Sequence, residues 1–169
     1  VENMAYAQCP GCGEIIEGRV DLVLGEPRCI LDLKWSGAGS KRRKLASGTA
    51  TQLAGYAFLE CGGEGPFPPV GYFVMESQRL MSAQPGEFPG AERVEGPPPE
   101  ETWDLMEETH AAEWRAVQEG RLEARGIQAE DEEKPPKDPA VVDGRIVLPP
   151  PCDWCDHAAL CGRAFGEEP

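Results

Sequence analysis

Along the first third of the chain, apolar residues recur at every second position. Between Glu14 and Leu24, Ile16, Gly18, Val20, Leu22 and Leu24 share one face while Glu17, Arg19, Asp21 and Val23 share the other, which is the period of a half-buried strand. The alternation resumes after Gly25-Glu26-Pro27. From Arg28 to Trp35, one face carries Cys29, Leu31, Leu33 and Trp35, and the other Ile30, Asp32 and Lys34. The two segments predict a hairpin. With Glu26-Pro27 as a two-residue loop, Leu22 falls opposite Leu31, Val20 opposite Leu33 and Asp21 opposite Asp32; the apolar faces then align and the acids share the polar face. Proline is a disfavoured second loop residue, which leaves a slip of one residue open.

Farther along, Ser36 to Ser47 reads as a glycine-containing basic connection, and Thr49 to Glu60 as a helix with Leu53, Ala57 and nearby Tyr56 inward. Val70 to Glu76 reads as a third strand, and Ser77 to Pro99 has no period. A second helix is expected from Thr102 to Arg125, ending at Gly126, because Trp103, Met106, His110, Trp114 and Val117 follow three- and four-residue steps. Gln128 to Pro139 is a charged linker, and Val141 to Val147 a short hairpin around Asp143-Gly144.

At 169 residues the chain is long enough for one domain with a sizeable core. A net charge of −14 argues at first against nucleic-acid binding. The charge is unevenly spread, however: residues 1–60 hold seven bases and seven acids, so the acidity belongs entirely to the remainder. No apolar run approaches the length of a membrane span, and a soluble, cytoplasmic protein with no membrane partner is expected. A chain that opens on Val1 further suggests a domain excised from a longer polypeptide.

Asp21 and Asp32, opposite each other in this register, carry β-carbons about 5 Å apart. Two like charges so placed repel unless something positive lies between them, and hard oxygen ligands suit Mg²⁺ or Mn²⁺. Lys34, on the same face, adds an ammonium able to orient a water and stabilise charge on a phosphate. A solvated strand face with a Lys–Asp pair is the plain alternative.

Gly18-Arg19-Val20-Asp21, then Ile30-Leu31-Asp32-Leu33-Lys34, then Gln52-Leu53-Ala54-Gly55-Tyr56 stand in the order of Gly-x-x-Asp, Asp-x-Lys and Gln-x-x-x-Tyr. In this the sequence resembles the RecB-like branch of the PD-(D/E)XK nuclease superfamily. The resemblance implies a restriction-endonuclease-like α/β core, a central mixed β-sheet flanked by helices. It makes Asp21, Asp32 and the main-chain carbonyl of Leu33 ligands of Mg²⁺ or Mn²⁺, and Lys34 the residue that positions the hydrolytic water. Gln52 and Tyr56, one helical turn apart, would support the site; Tyr56 also reads as plain core packing. Glu2 matches an acid that such enzymes often carry before Gly-x-x-Asp. They commonly carry an upstream helical His as well, and His110 and His157 are not in that place. The run Lys41-Arg42-Arg43-Lys44, the basic cluster of an otherwise acidic chain, is expected in the loop leaving the catalytic strand, contacting DNA phosphates.

Seven cysteines, an odd number, argue against a disulfide framework. Cys152, Cys155 and Cys161 are one ligand short of a closed site. Their spacing resembles the C-terminal 4Fe-4S staple of RecB-like nucleases, in which one distant cysteine joins three. Cys9 or Cys12, at what looks like a hairpin tip, could be the fourth, and a zinc site using Cys9, Cys12 and two C-terminal cysteines is the alternative. Cys29 and Cys61 read as core or incidental. The expected organisation is a single domain over 1–169, with a core at 1–76, an acidic insertion and helix at 77–148 and the cysteine cluster at 149–163. The implied function is metal-dependent DNA cleavage in repair or recombination, in association with a helicase or larger complex. The rivals are a catalytically silent nuclease-like module and a zinc-stapled DNA-binding scaffold.

Overall fold

The computed structural model describes residues 3–10, 13–26, 28–84, 88–121 and 138–149. Asn3–Gln8 (β1) and Ile15–Val20 (β2) form an antiparallel hairpin. Its tip is closed by the Cys9 N–H on the Glu14 carbonyl and the Gly13 N–H on the Cys9 carbonyl, both at 2.8 Å. The strand expected to continue from Glu14 to Leu24 instead breaks at Asp21. Leu22–Leu24 (β3) belongs to a second sheet, where it pairs with Cys29–Lys34 (β4). The register sets Leu22 against Leu31 and Leu24 against Cys29, as a two-residue loop requires. The β3–β4 ladder starts only at Leu22, because Asp21 turns its Oδ2 onto the Leu33 N–H at 3.0 Å and substitutes a side-chain acceptor for a ladder partner.

The second sheet runs β3-β4-β5-β6-β7, with Val70–Val74 (β5), Arg79–Ser82 (β6) and Glu92–Arg93 (β7). β4 and β5 are parallel, so their connection must cross over; it carries two helices, Ala38–Ala46 (α1) and Thr51–Glu60 (α2). The expected basic loop is therefore largely helix α1. It follows directly on β4 because Gly37, at φ +85°, reverses the chain with a left-handed residue that a side chain would strain. β6 and β7 lie in the stretch without a hydrophobic period: strands of four and two residues are too short to show one. The architecture is an α/β fold with a central mixed sheet flanked by helices, as expected.

Helix α2 packs in two directions. Leu53 and Ala57 enter the sheet core with Val20, Ile30, Val70, Tyr72 and Val74, while Ala54, Phe58 and Leu59 pack against Ala7 of β1 and Trp103. Trp103 comes from Pro99–Gln118 (α3) and stacks on Phe58 with ring centroids 3.9 Å apart and planes 8° from parallel. α3 begins three residues before the expected Thr102, since Pro99 suits the first turn and Glu100 and Glu101 complement the helix dipole there. It also ends earlier, at Gln118, and its last turns leave the core: Trp114 and Val117 are exposed. Ala140–Val142 (β8) and Arg145–Val147 (β9) form the expected hairpin, anchored to α3 by the Ile146 N–H on Thr109 Oγ1 at 2.9 Å. No described helix is long and apolar enough to cross a membrane.

Trp103→Ala removes the aromatic stack that joins α3 to α2, and should cost about 3–5 kcal/mol of unfolding free energy in a urea titration. A loss below about 1 kcal/mol would mean that α3 is not a part of the core.

Candidate active site

The core under α2 decides which face of β4 is inside. Ile30 and Asp32 are fully buried, whereas Leu33 is 36 % and Trp35 72 % exposed. This corrects the expectation that the acids occupy a polar outer face. The face bearing Ile30, Asp32 and Lys34 is the one that α2 covers, and the opposite, more apolar face reaches solvent toward the end of the strand.

Asp32 Oδ2 lies 3.0 Å from Lys34 Nζ, but neither of its buried oxygens accepts a well-formed hydrogen bond among the described residues. Lys34 Nζ donates to Gln52 Oε1 at 3.0 Å, and Gln52 Nε2 donates to the Tyr56 hydroxyl at 2.8 Å. Asp32, Lys34, Gln52 and Tyr56 thus form a connected chain from β4 to the near face of α2, and Asp21 joins it where β2 gives way to β3. Gly18, the glycine of Gly-x-x-Asp, makes the approach possible: a β-carbon there would lie 2.7 Å from Leu59 Cδ1 and 3.9 Å from Tyr56 Cε1, both on α2.

Burial raises the Asp32 carboxyl from 3.8 to about 6, with the neighbouring Asp21 carboxyl acting in the same direction and Lys34 opposing both. Tyr72, paired in register with Asp32 on β5, is buried, and its phenol is pushed above its ordinary value by burial and by Asp32. Lys41 Nζ lies 5.7 Å from the centre of the Tyr72 ring. Burial, then Lys44 and Lys34, pull Lys41 below the ordinary lysine value, while Asp32 works against them. Neither Tyr72 nor the inward direction of Lys41 was legible in the sequence; the clue to Lys41, had α1 been recognised, is its helical phase one turn before buried Leu45.

Two neighbouring carboxylates, one of them with buried and unsatisfied oxygens, fit a hard divalent cation such as Mg²⁺ or Mn²⁺. The described residues hold no group of three or more His, Cys, Asp or Glu side chains suited to a metal, so further ligands would have to be main-chain, water or substrate oxygens. Cys9 is buried at the end of β1, with Sγ 4.0 Å from Glu107 Oε1. Cys12, Cys152, Cys155, Cys161 and Glu2 lie outside the described residues.

A carboxyl raised from 3.8 to about 6 by folding binds its proton in the native state after the unfolded chain has released it. Native stability therefore falls as pH rises through this window, and the loss is complete above it. Asp32→Asn should stabilise the metal-free protein at pH 8 by on the order of 1–3 kcal/mol, with the gain vanishing below about pH 4. Thermal melts at the two pH values check this, and destabilisation at pH 8 would contradict it.

No curated protein and no solved structure is significantly similar to the chain. Residues 2–162, nearly the whole sequence, match the PD-(D/E)XK nuclease superfamily. With its mixed five-stranded sheet, Asp32 and Lys34 of β4 beneath α2 and Asp21 between β2 and β3, the chain belongs to that superfamily of metal-dependent nucleases.

Proposed function

We propose that the chain is a divalent-metal-dependent deoxyribonuclease of the RecB-like type, acting in DNA repair or recombination in the cytoplasm, with a helicase or larger repair complex as partner. The observation that carries this reading is the connected set Asp32–Lys34–Gln52–Tyr56 beside Asp21. In it, Asp21, Asp32 and the Leu33 carbonyl hold the cation. When bound, Mg²⁺ or Mn²⁺ supplies Lewis-acid stabilisation of the charge that develops in phosphodiester hydrolysis.

Lys34 has three N–H donors; Gln52 accepts one, and the ion pair with Asp32 occupies the direction of a second. The third is left to orient the attacking water and then to stabilise charge on the phosphate. Gln52 holds the ammonium in place, and Tyr56 holds Gln52. The raised pKa of Asp32 also bears on the silent-scaffold alternative: a buried carboxylate that opposes folding at neutral pH has no use in an inert module, and such perturbed groups concentrate at functional sites. In the same reading Lys41 and Lys44 of the basic run contact the DNA backbone, while Arg42 and Arg43 are engaged by Glu92 and Asp138. Cys152, Cys155 and Cys161, completed by Cys9 or Cys12, hold a structural 4Fe-4S cluster, with zinc as the alternative; this part rests on their spacing alone.

Lys34→Ala and Asp32→Ala should each lower Mg²⁺-dependent DNA cleavage about 100-fold or more while leaving the circular dichroism spectrum unchanged, and Gln52→Ala should cost about 10-fold or more. Full activity in the Lys34 and Asp32 variants would refute the assignment. Iron, sulfide and zinc determination after anaerobic purification separates the cluster from zinc.

A further inference from the structure

We infer that Lys41 is a phosphate-positioning residue of the nuclease site, holding a backbone oxygen of the DNA alongside Lys34; this rests on the nuclease reading above. The sequence presents Lys41-Arg42-Arg43-Lys44 as one basic patch, but helix α1 takes it apart. Arg42 and Arg43 are exposed, and both are matched by acids from the second half of the chain. Arg42 forms an ion pair with Glu92 of β7, and Arg43 Nη2 lies 3.6 Å from Asp138 Oδ1. Lys41 and Lys44, three residues apart and so on one helical face, are half-buried and have no ion pair within 4.0 Å among the described residues.

Lys41 is the one aimed at the site. Its ammonium sits over the Tyr72 ring, and Tyr72 is the parallel-strand neighbour of Asp32, so Lys41 stands one strand away from the carboxylates. The ring beneath its ammonium, together with the half-burial of Lys41, restricts the side chain, so less rotamer freedom remains to be lost when a ligand binds. Lys34 pairs with Asp32, and Lys41 lies within electrostatic reach of Lys34, Lys44 and Asp32, so the three lysines outnumber Asp21 and Asp32 by one charge even with both acids ionised. A divalent cation between the acids would add two more. The group that balances this excess is an anion, and in a nuclease it is the phosphodiester bridging Lys34 and Lys41.

Lys41→Met keeps an unbranched, largely aliphatic side chain on α1 and removes the charge. In the whole chain it should lower kcat/KM for Mg²⁺-dependent cleavage about 10-fold or more without changing Tm. Binding of a fluorescent DNA duplex, followed by anisotropy in Ca²⁺, should lose about one unit from the slope of log affinity against log salt. Lys41→Arg should restore most of both quantities, and the Arg42→Ala, Arg43→Ala double variant should change each less than about threefold. The inference is overturned if Lys41→Met matches the wild type, if Lys41→Arg is no better than Lys41→Met, or if the double arginine variant loses as much. A wild-type chain that binds the duplex but cleaves no DNA with Mg²⁺ or Mn²⁺ refutes the nuclease reading, and the salt slope then decides the Lys41 claim alone. A wild-type chain that neither binds nor cleaves overturns both.

Discussion

Asp32 is a carboxylate with no solvent exposure on an inner strand of the sheet, and its ion-pair partner is Lys34, two residues along the same strand face. Burial of this kind is costly unless a charge partner and hydrogen bonds repay it, and here the repayment is incomplete: both oxygens lack a well-formed donor. The remaining features of the site answer this one constraint. Lys34 is held in place from the other side by Gln52, and Gln52 by Tyr56, so the cation cannot swing away to solvent. Asp21 adds a second carboxylate instead of relieving the first. That arrangement opposes folding and favours binding a cation, the balance expected where stability is given up for function.

Helix α2 is the element through which the fold imposes this geometry. Its apolar residues serve two cores, Leu53 and Ala57 toward the sheet and Ala54, Phe58 and Leu59 toward the N-terminal hairpin and α3. A helix gripped on two sides has little freedom to rotate, so Gln52 and Tyr56 are aimed at β4 by packing and not by their own hydrogen bonds. Gly18 lets β2 come close enough for the hairpin to take part in that grip.

Much of this was legible in the sequence, for reasons that can be traced to particular residues. The two-residue loop set the β3–β4 register, and with it the proximity of Asp21 to β4. Gln52 and Tyr56 were visible because a spacing of four has one meaning on a helix. The inner face of β4 was misjudged because alternation separates two faces without saying which one a distant helix will cover, and Leu31, Leu33 and Trp35 are more apolar than Ile30, Asp32 and Lys34. The break at Asp21 was hidden because a side chain accepting the Leu33 N–H preserves the alternation through it. Helix α1 was missed because its residues are mostly charged or small and only Leu45 is buried. The same helix divides the basic run, which explains how an acidic chain can present a cationic site: part of the later acidity is used on Arg42 and Arg43, away from Lys41.

Burial and the neighbouring Asp21 raise Asp32 into the range where, in the proposed site, a proton and a divalent cation would compete for it. Calorimetric titration of Mn²⁺ into the metal-free protein, repeated in two buffers of different ionisation enthalpy, counts the protons released on binding. With Asp32 raised to about 6, binding should release a substantial fraction of a proton at pH 6 and almost none at pH 8, and Asp32→Asn should abolish both binding and release. Mn²⁺ binding with no proton release at pH 6, or binding that survives Asp32→Asn, would contradict the account.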